Sequence, residues 1–326
     1  MESFNKIETK ENSSRALFDK QFSEQWEQQK LEIEGERVRY IDMVPESVTS
    51  ETPVLFVPGW GRTAYSYKDL LYELYQDGRR IISVEYPRWS SGNQSEDLPA
   101  QQRKAEVLLL FIKQRHSSGV DVLAHSEGGI NTILAAEKEG ALFRNFVLVD
   151  SGGYAAMSFT ELLRNRIKNI LPQGANSSNF HKTPETGREE VVDYSGDFFK
   201  SDEAVSLAKK RKKDVMKDVL YASQNPVRIT SEAIGSLRVE IPEKLQMLKE
   251  QGHEISLIHG VNDAVVPITD VMENVDSKMI TGVYTVRGGH SDMALYPETY
   301  GIVAKTAIQA LEQKSLKMNA NNDSTK

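Results

Sequence analysis

Cysteine is absent from the 326-residue sequence. Its absence excludes disulfide bonds, thiol nucleophiles and thiolate metal sites, and makes the chain compatible with a reducing compartment. Long apolar runs are also missing, because no stretch approaches the ~20 residues of a membrane-spanning helix. The polar N-terminus has no apolar segment of the signal-peptide kind. These absences predict a cytoplasmic protein without stable membrane insertion.

An excess of positive charge is missing as well. Lys and Arg together number 40 against 47 Asp and Glu, a formal net charge of -7. Such a chain has no general attraction to nucleic acids or anionic membranes. A basic cluster, KKRKK at 209–213, is bracketed by acidic residues and is interpreted as a solvated helix face. We therefore expect a small-molecule partner and no nucleic acid, and the sequence leaves the oligomeric state open.

Short apolar runs bounded by Gly, Pro or Asp recur along the chain and alternate with helical patterns. Hydrophobic residues make up 39% of the sequence, enough for a sizeable core. The predicted strands lie at 54–61, 81–87, 120–126, 146–150, 255–260 and 282–289. The predicted helices between them lie at 67–77, 98–114 and 128–139. This alternation predicts the α/β class, with a mostly parallel sheet covered by helices on both faces.

The flanks and one internal segment depart from that alternation. Residues 14–30 have helical apolar spacing and 31–42 alternate like a hairpin, so 1–30 is interpreted as an N-terminal extension. Residues 153–245 contain helical segments without a convincing buried strand, which predicts a helical cap inserted over one end of the sheet. The core is then expected at 31–152 and 246–316. The tail, 317–326, is predicted to be disordered.

A serine stands at the junction of a predicted strand and helix, in VDVLAHSEGGIN at 120–131. A serine hydroxyl is a poor nucleophile unless a neighbouring base takes its proton, and it has to project from the sheet. A sharp strand-to-helix turn achieves this but crowds the backbone, so small residues are needed two positions either side of Ser126. Ala124 and Gly128 meet this requirement, and Gly129 adds room for helix packing. The helix start also places N–H groups beside the serine.

The sequence AHSEG at 124–128 resembles the nucleophile elbow G-x-S-x-G of the α/β-hydrolase superfamily, with alanine for the first glycine. Members of that superfamily carry nucleophile, acid and histidine in this chain order. HGVNDAVVP at 259–267 and GGHSDM at 288–293 are similar to the acid and histidine loops, and they identify Asp263 and His290. The resemblance covers about residues 32–312. It implies an α/β-hydrolase fold, a doubly wound, mostly parallel sheet with an inserted helical cap.

The resemblance also implies an oxyanion hole, built from two backbone N–H groups. Trp60, in the turn VPGWG at 57–61, and Glu127, which follows the serine, are the residues that match. The indole of Trp60 is a candidate substrate contact, with packing beneath the cap as an equal alternative. Tyr65, Tyr154 and Met157 are further candidates for the border of the cleft.

Other titratable residues offer alternatives. Asp150 ends a strand and is a second candidate for the acid. His125 adjoins Ser126, but successive side chains of a strand point to opposite sides, so a packing role is favoured. His259 is interpreted as a hydrogen-bonding residue of its loop or the core. The remaining histidines are expected to be solvated: His116, His181 and His253.

These observations predict a cofactor-independent and metal-independent serine hydrolase of small acyl compounds, with carboxylic esters favoured. Ser126 would attack the carbonyl, His290 would move the proton and Asp263 would hold the imidazole. A serine nucleophile disfavours the epoxide hydrolases and haloalkane dehalogenases of the superfamily, which use aspartate. C–C bond hydrolysis, aminopeptidase action and acyl transfer remain open on the same triad. A non-catalytic ligand-binding protein of this fold is the alternative from another class.

Overall fold

A computed structural model describes residues 2–33, 35–86, 100–116, 118–170, 226–286 and 288–323. Eight strands within these ranges form one sheet with the order β1-β2-β4-β3-β5-β6-β7-β8. The strands are β1 (Lys30–Ile33), β2 (Glu36–Met43), β3 (Ser50–Val57), β4 (Arg79–Val84), β5 (Val120–His125), β6 (Phe143–Val149), β7 (Glu254–Gly260) and β8 (Gly282–Val286).

Nine α-helices lie within the same described ranges. They are α1 (Glu2–Gln28), α2 (Lys68–Gln76), α3 (Ala100–Arg115), α4 (Glu127–Glu139), α5 (Phe159–Ile170), α6 (Pro226–Leu237), α7 (Pro242–Glu250), α8 (Ile268–Asn274) and α9 (Pro297–Asp323). In the part of the chain that the structure describes, no helix combines the length and apolar character needed to cross a membrane.

The sheet is parallel from β4 through β8, and β1 and β2 join it antiparallel. Every residue of β5 is buried, because helices cover both faces of the sheet at its centre. One face packs against α3, α4 and α7. The other packs against α1, α2 and α9. This confirms the predicted α/β class, and it brings the C-terminal ends of the parallel strands to one edge.

The N-terminal helix α1 is an integral part of this core. Its Phe18 and Phe22 are fully buried against α2 and the adjoining strands. The side chain of Gln25 also bonds both backbone groups of Asp42 in β2, its amide nitrogen donating to the carbonyl at 3.0 Å and its oxygen accepting from the N–H at 2.7 Å. The segment predicted as an extension therefore contributes to the fold.

The boundaries predicted for the cap and for the C-terminal tail differ from those of the helices in the structure. Helices α5 and α6 lie inside the predicted cap at 153–245, while its middle, including KKRKK and His181, lies outside the described residues. Helix α7 crosses the predicted boundary at 245, and its buried Leu245 and Leu248 pack in the core. Helix α9 continues to Asp323, where disorder was predicted from 317, because no Gly or Pro interrupts the helical segment.

A buried carboxylate lies in the central strand, away from the elbow. Asp121 is 1% exposed, and its Oδ1 accepts a hydrogen bond from Asn145 Nδ2 at 2.8 Å. Its Oδ2 is buried without a hydrogen-bond partner among the described residues. Burial raises the pKa of Asp121 to about 6. At a pH between the pKa values of the unfolded and folded states, Asp121 is therefore protonated in the folded chain and ionised in the unfolded chain.

This raised pKa predicts a pH-dependent effect of Asp121→Asn on stability. The contribution of Asp121 is fully present below its unfolded pKa and is lost as the pH rises through about 6. The Asn variant lacks this loss. Between pH 4 and pH 8, its free energy of unfolding should therefore rise by about 2 to 3 kcal/mol relative to that of the wild type. Urea unfolding of both proteins across this range measures the difference. A difference independent of pH would contradict the prediction.

Candidate active site

The turn between β5 and α4 holds Ser126 in a conformation that L-residues rarely adopt. Its φ of 53° and ψ of -123° direct the hydroxyl away from the sheet. The turn is held by backbone hydrogen bonds, from the Ser126 N–H to the Val149 carbonyl at 2.9 Å and from the Gly129 N–H to the Ser126 carbonyl at 3.1 Å. Neighbouring strand and helix therefore support the strained backbone.

The small residues around the serine are required by close approach of the backbone. A Cβ on Gly128 would lie 2.4 Å from the carbonyl oxygen of Val57 at the end of β3. A Cβ on Gly129 would lie 1.9 Å from the Ser151 hydroxyl oxygen. Helix α4 can begin this close to the sheet because both side chains are absent.

The three residues that the motifs identify lie together at the C-terminal edge of the sheet. Ser126 Oγ is 2.8 Å from His290 Nε2, and His290 Nδ1 is 2.7 Å from Asp263 Oδ2. The other carboxylate oxygen of Asp263 accepts N–H groups of Val265 and Val266, at 2.8 and 2.9 Å. The geometry forms one hydrogen-bond chain from hydroxyl to carboxylate, in which the imidazole can take the hydroxyl proton.

The charge state of Asp263 suits the orientation of an imidazole. Burial alone would raise the pKa of this carboxyl, but His290 and the backbone N–H of Val266 counter it, and the pKa lies below its usual value. Asp263 is therefore ionised at neutral pH. An ionised carboxylate accepts the Nδ1–H of His290 and stabilises the imidazolium when it forms.

Asp150, the alternative acid, lies at the same edge but in a different state. Its Oδ1 accepts the backbone N–H of Gly260 at 2.7 Å. Burial, followed by repulsion from Asp263, raises the pKa of Asp150 well above the ordinary value. A carboxyl with a raised pKa ionises less readily, and it therefore stabilises an imidazolium less well than an ionised carboxylate does. The electrostatics therefore favour Asp263 over Asp150 for that role.

His125 is buried beside the elbow and supports the histidine loop. Its Nε2 lies 2.7 Å from the His290 carbonyl oxygen, and its Nδ1 lies 2.8 Å from the Tyr67 hydroxyl. Because a carbonyl only accepts, Nε2 carries the hydrogen and Nδ1 accepts from Tyr67. Burial, with the nearby His290, lowers the pKa of His125 to about 3. The ring is therefore neutral and holds the backbone of His290 in place.

The remaining described histidines are also buried. His259 Nε2 lies 2.7 Å from the Val266 carbonyl oxygen, which braces the loop that carries Asp263. The expectation of solvated rings was wrong for His116 and His253, which are 5% and 8% exposed. They pack edge-on against aromatic rings, His116 against Phe111 and His253 against Phe146. Phe146 is distant from His253 in sequence, and the two rings become neighbours only in the folded chain.

The loop after β3 packs directly on the elbow. A Cβ on Gly59 would lie 2.8 Å from His125 Nδ1 and 3.1 Å from Ser126 Cβ. Trp60 follows in this loop, and Glu127 is the first residue of α4. Both backbones thus border the serine at the edge of the sheet, where an oxyanion hole requires donors. Their assignment to that hole remains a prediction.

A mostly apolar cavity of about 80 Å³ opens beside Ser126 and His290. Helices α5 and α6 and the loop after β6 form much of its wall. Its apolar lining includes Ile130, Tyr154, Met157, Leu162, Ala233, Leu237, Val265 and Val266. Trp60 also lines it, and the guanidinium carbon of Arg166 lies 4.5 Å from the centre of its indole.

Two of the three predicted border residues, Tyr154 and Met157, therefore lie at the cavity. Tyr65 does not line it, because its half-exposed ring packs near Phe22 and Trp26 of α1. Sequence reasoning missed the contribution of α6, which holds Ala233 and Leu237 against the cavity. Their spacing is typical of an amphipathic helix, but it does not reveal which surface the helix covers.

Within the described ranges of the chain, one group of side chains has ligand atoms close enough for a metal ion. Asp150, His259 and Asp263 each offer one such atom, all within 4.8 Å of one another. Each residue already makes a hydrogen bond described above. Asp150 accepts one from the N–H of Gly260, His259 donates one to the carbonyl of Val266, and Asp263 accepts one from His290. A cation would have to displace these bonds, so we assign the three side chains to hydrogen bonding.

The fold and the site place the chain in a known family. Residues 54–300 match the family model described as "Alpha/beta hydrolase family". This match spans the elbow, the acid loop and the histidine loop, and most of the chain. The protein belongs to the alpha/beta hydrolase family, as the motifs predicted.

Solved structures support the same fold at low sequence identity. A membrane phospholipase A, described as a bacterial virulence factor, matches with a TM-score of 0.60 and 12% identity, over 92% of this chain and 93% of its own. A thermophilic esterase from Thermogutta terrifontis matches with a TM-score of 0.58 and 16% identity, over 87% of this chain and 99% of its own. A meta-cleavage product hydrolase from Pseudomonas fluorescens matches with a TM-score of 0.53 and 15% identity, over 86% of this chain and 97% of its own. No curated protein matches the sequence.

Proposed function

We propose that the protein is a serine hydrolase that cleaves small acyl compounds, with carboxylic esters as the preferred class. The observation that carries the proposal is the hydrogen-bond chain from Ser126 through His290 to Asp263. Such a chain activates a hydroxyl that is otherwise a weak nucleophile at neutral pH.

The reaction follows from these positions. Ser126 Oγ attacks the acyl carbonyl while His290 Nε2 takes its proton, and the backbone N–H groups of Trp60 and Glu127 stabilise the oxyanion. His290 then protonates the leaving group, and the acyl-enzyme forms. Water attacks that ester with His290 as the base, which releases the acid and restores Ser126. The scheme uses side chains and backbone of this chain, and water is the second reactant.

The cavity supports an apolar acyl group. Its lining is dominated by aliphatic and aromatic side chains. The structural relatives include an esterase, a phospholipase A and a meta-cleavage product hydrolase. A panel of short-chain aryl esters, thioesters, aminoacyl amides and vinylogous diketones therefore distinguishes ester hydrolysis from the other reactions open to the same triad.

Covalent labelling tests the proposal most directly. A fluorophosphonate probe should add one phosphonyl group to the wild-type protein, because its phosphorus is attacked by an activated serine. Ser126→Ala should remain unlabelled, whereas Ser158→Ala, which removes an exposed serine before α5, should label like wild type. Intact mass gives the readout. A folded wild-type protein that never labels would overturn the proposal and favour the ligand-binding alternative.

A further inference from the structure

A lysine is buried in the interior between α3, α4 and α6. Lys104 is 2% exposed, and its Nζ lies 2.8 Å from Glu127 Oε2 and 3.2 Å from Glu232 Oε2. A charged group is found at such a depth only when it is paired, because removing it from water is costly. The two carboxylates, each buried to a similar degree, provide this pairing.

Neutral polar groups complete the cluster. Gln101 Nε2 donates to Glu127 Oε1 at 2.9 Å and to the Glu232 carbonyl at 2.8 Å. The Ser236 hydroxyl donates to Glu127 Oε1 at 3.0 Å. The cluster of Gln101, Lys104, Glu127, Glu232 and Ser236 therefore ties helix α6 to helices α3 and α4.

Each of the two carboxylates in this cluster is connected to one of the two proposed donors of the oxyanion hole. Glu127 is the residue after the nucleophile, and its backbone N–H is one proposed donor. Glu232 accepts a hydrogen bond from Trp60 Nε1 at 3.1 Å, and the backbone of Trp60 is the other proposed donor. Lys104 therefore lies between two carboxylates. One is the side chain of Glu127, which is itself a proposed donor residue. The other is Glu232, which accepts a hydrogen bond from the side chain of Trp60.

On the basis of the serine-hydrolase mechanism proposed above, we infer that Lys104 is a positioning residue for the oxyanion hole. Its ammonium holds the carboxylates of Glu127 and Glu232 together and thereby fixes the Trp60 loop relative to the start of α4. Oxyanion donors are effective when they are oriented before the reaction, and small displacements are costly. Without the cation, the two carboxylates repel each other across a buried site.

A purely structural role for Lys104 gives a different expectation. A stabilising contact affects how much protein is folded, and it leaves the turnover of each folded site unchanged. A positioning residue affects the transition state in molecules that are already folded, so kcat per active site falls while KM for an apolar ester changes much less.

The test compares Lys104→Met with Lys113→Met, a variant of the same helix that removes an exposed lysine paired with Glu139. Fluorophosphonate titration counts active sites, and hydrolysis of a short-chain aryl ester then gives kcat per site and KM. We expect Lys104→Met to lower kcat per site and the phosphonylation rate roughly ten- to a hundredfold. Lys113→Met should match wild type. An unchanged kcat per site in Lys104→Met would overturn the inference.

A second variant keeps the test decisive if Lys104→Met does not fold. Lys104→Met/Glu127→Gln/Glu232→Gln removes the uncompensated charges, and a neutral replacement of a buried ion pair commonly preserves stability. It should fold and still acylate slowly, because the ammonium bridge is gone. Wild-type rates, or a failure to fold, would each overturn the inference. An unlabelled wild-type protein would instead overturn the proposed function together with the inference.

Discussion

Replacing Asp263 with asparagine should lower kcat by about 10⁴-fold without unfolding the protein. The Oδ1 atom is held by the N–H groups of Val265 and Val266, so the asparagine oxygen will occupy that position. The amide NH₂ then faces His290 Nδ1 and donates to it. This bond fixes the tautomer that carries hydrogen on Nε2, which cannot take the proton of Ser126. Ester hydrolysis at saturating substrate measures the loss.

Asp150→Asn is the matched control for this prediction. It replaces a buried carboxyl at the same edge of the sheet, and the raised pKa of Asp150 favours the uncharged form of the native group. A neutral amide of the same shape should therefore leave kcat close to wild type. The reverse result, a large loss in Asp150→Asn and a small one in Asp263→Asn, would assign the acid to Asp150.

The largest effect on stability is expected from Gly128→Ala. The added methyl group would lie 2.4 Å from the Val57 carbonyl oxygen and 2.8 Å from that of Pro58. Both are backbone atoms at the end of a strand paired on either side, so neither can move cheaply. We expect a loss of about 3 kcal/mol or more in the free energy of unfolding. Urea denaturation measures it, provided that the m-value stays constant.

Gly152→Ala provides the comparison, because this glycine lines the cavity beside Ser126 and has room for a methyl group. Its nearest neighbour would be Ile130 Cδ1 at 3.4 Å, the end of a side chain that can rotate. The expected change in stability is below about 1 kcal/mol. Equal stabilities for the two alanine variants would mean that crowding is not the reason for glycine at 128.

Much of the sheet could be predicted from the sequence, because its signals are local. Strands buried on both faces are short apolar runs, and the alternation of LEIEGERVRYID predicted the antiparallel pair β1 and β2. The same holds for the positions of Ser126, Asp263 and His290. Each follows the end of a parallel strand, and strands that run in one direction end at one edge, so local motifs identified residues that meet in space.

Packing partners were less predictable than the elements themselves. The apolar spacing of Phe18 and Phe22 predicted a helix, but it did not indicate that this helix completes one face of the core. Titratable rings such as His116 were expected in water and lie in the interior. A sequence pattern shows which face of an element is apolar, and the element that covers this face can come from any part of the chain.

The charge states of the site depend entirely on tertiary structure. A lysine on a helix is normally solvated. Lys104 of α3 is instead buried, and its carboxylate partners come from α4 and α6. Asp150 and Asp263 follow different strands, and their surroundings raise the pKa of Asp150 and lower the pKa of Asp263. Local sequence determined the strands and the elbow through backbone sterics and hydrophobic pattern, and the resemblance to the superfamily implied the order of the three site residues. Desolvation and Coulomb interactions depend on neighbours in space, so only the folded chain decided which buried groups carry charge.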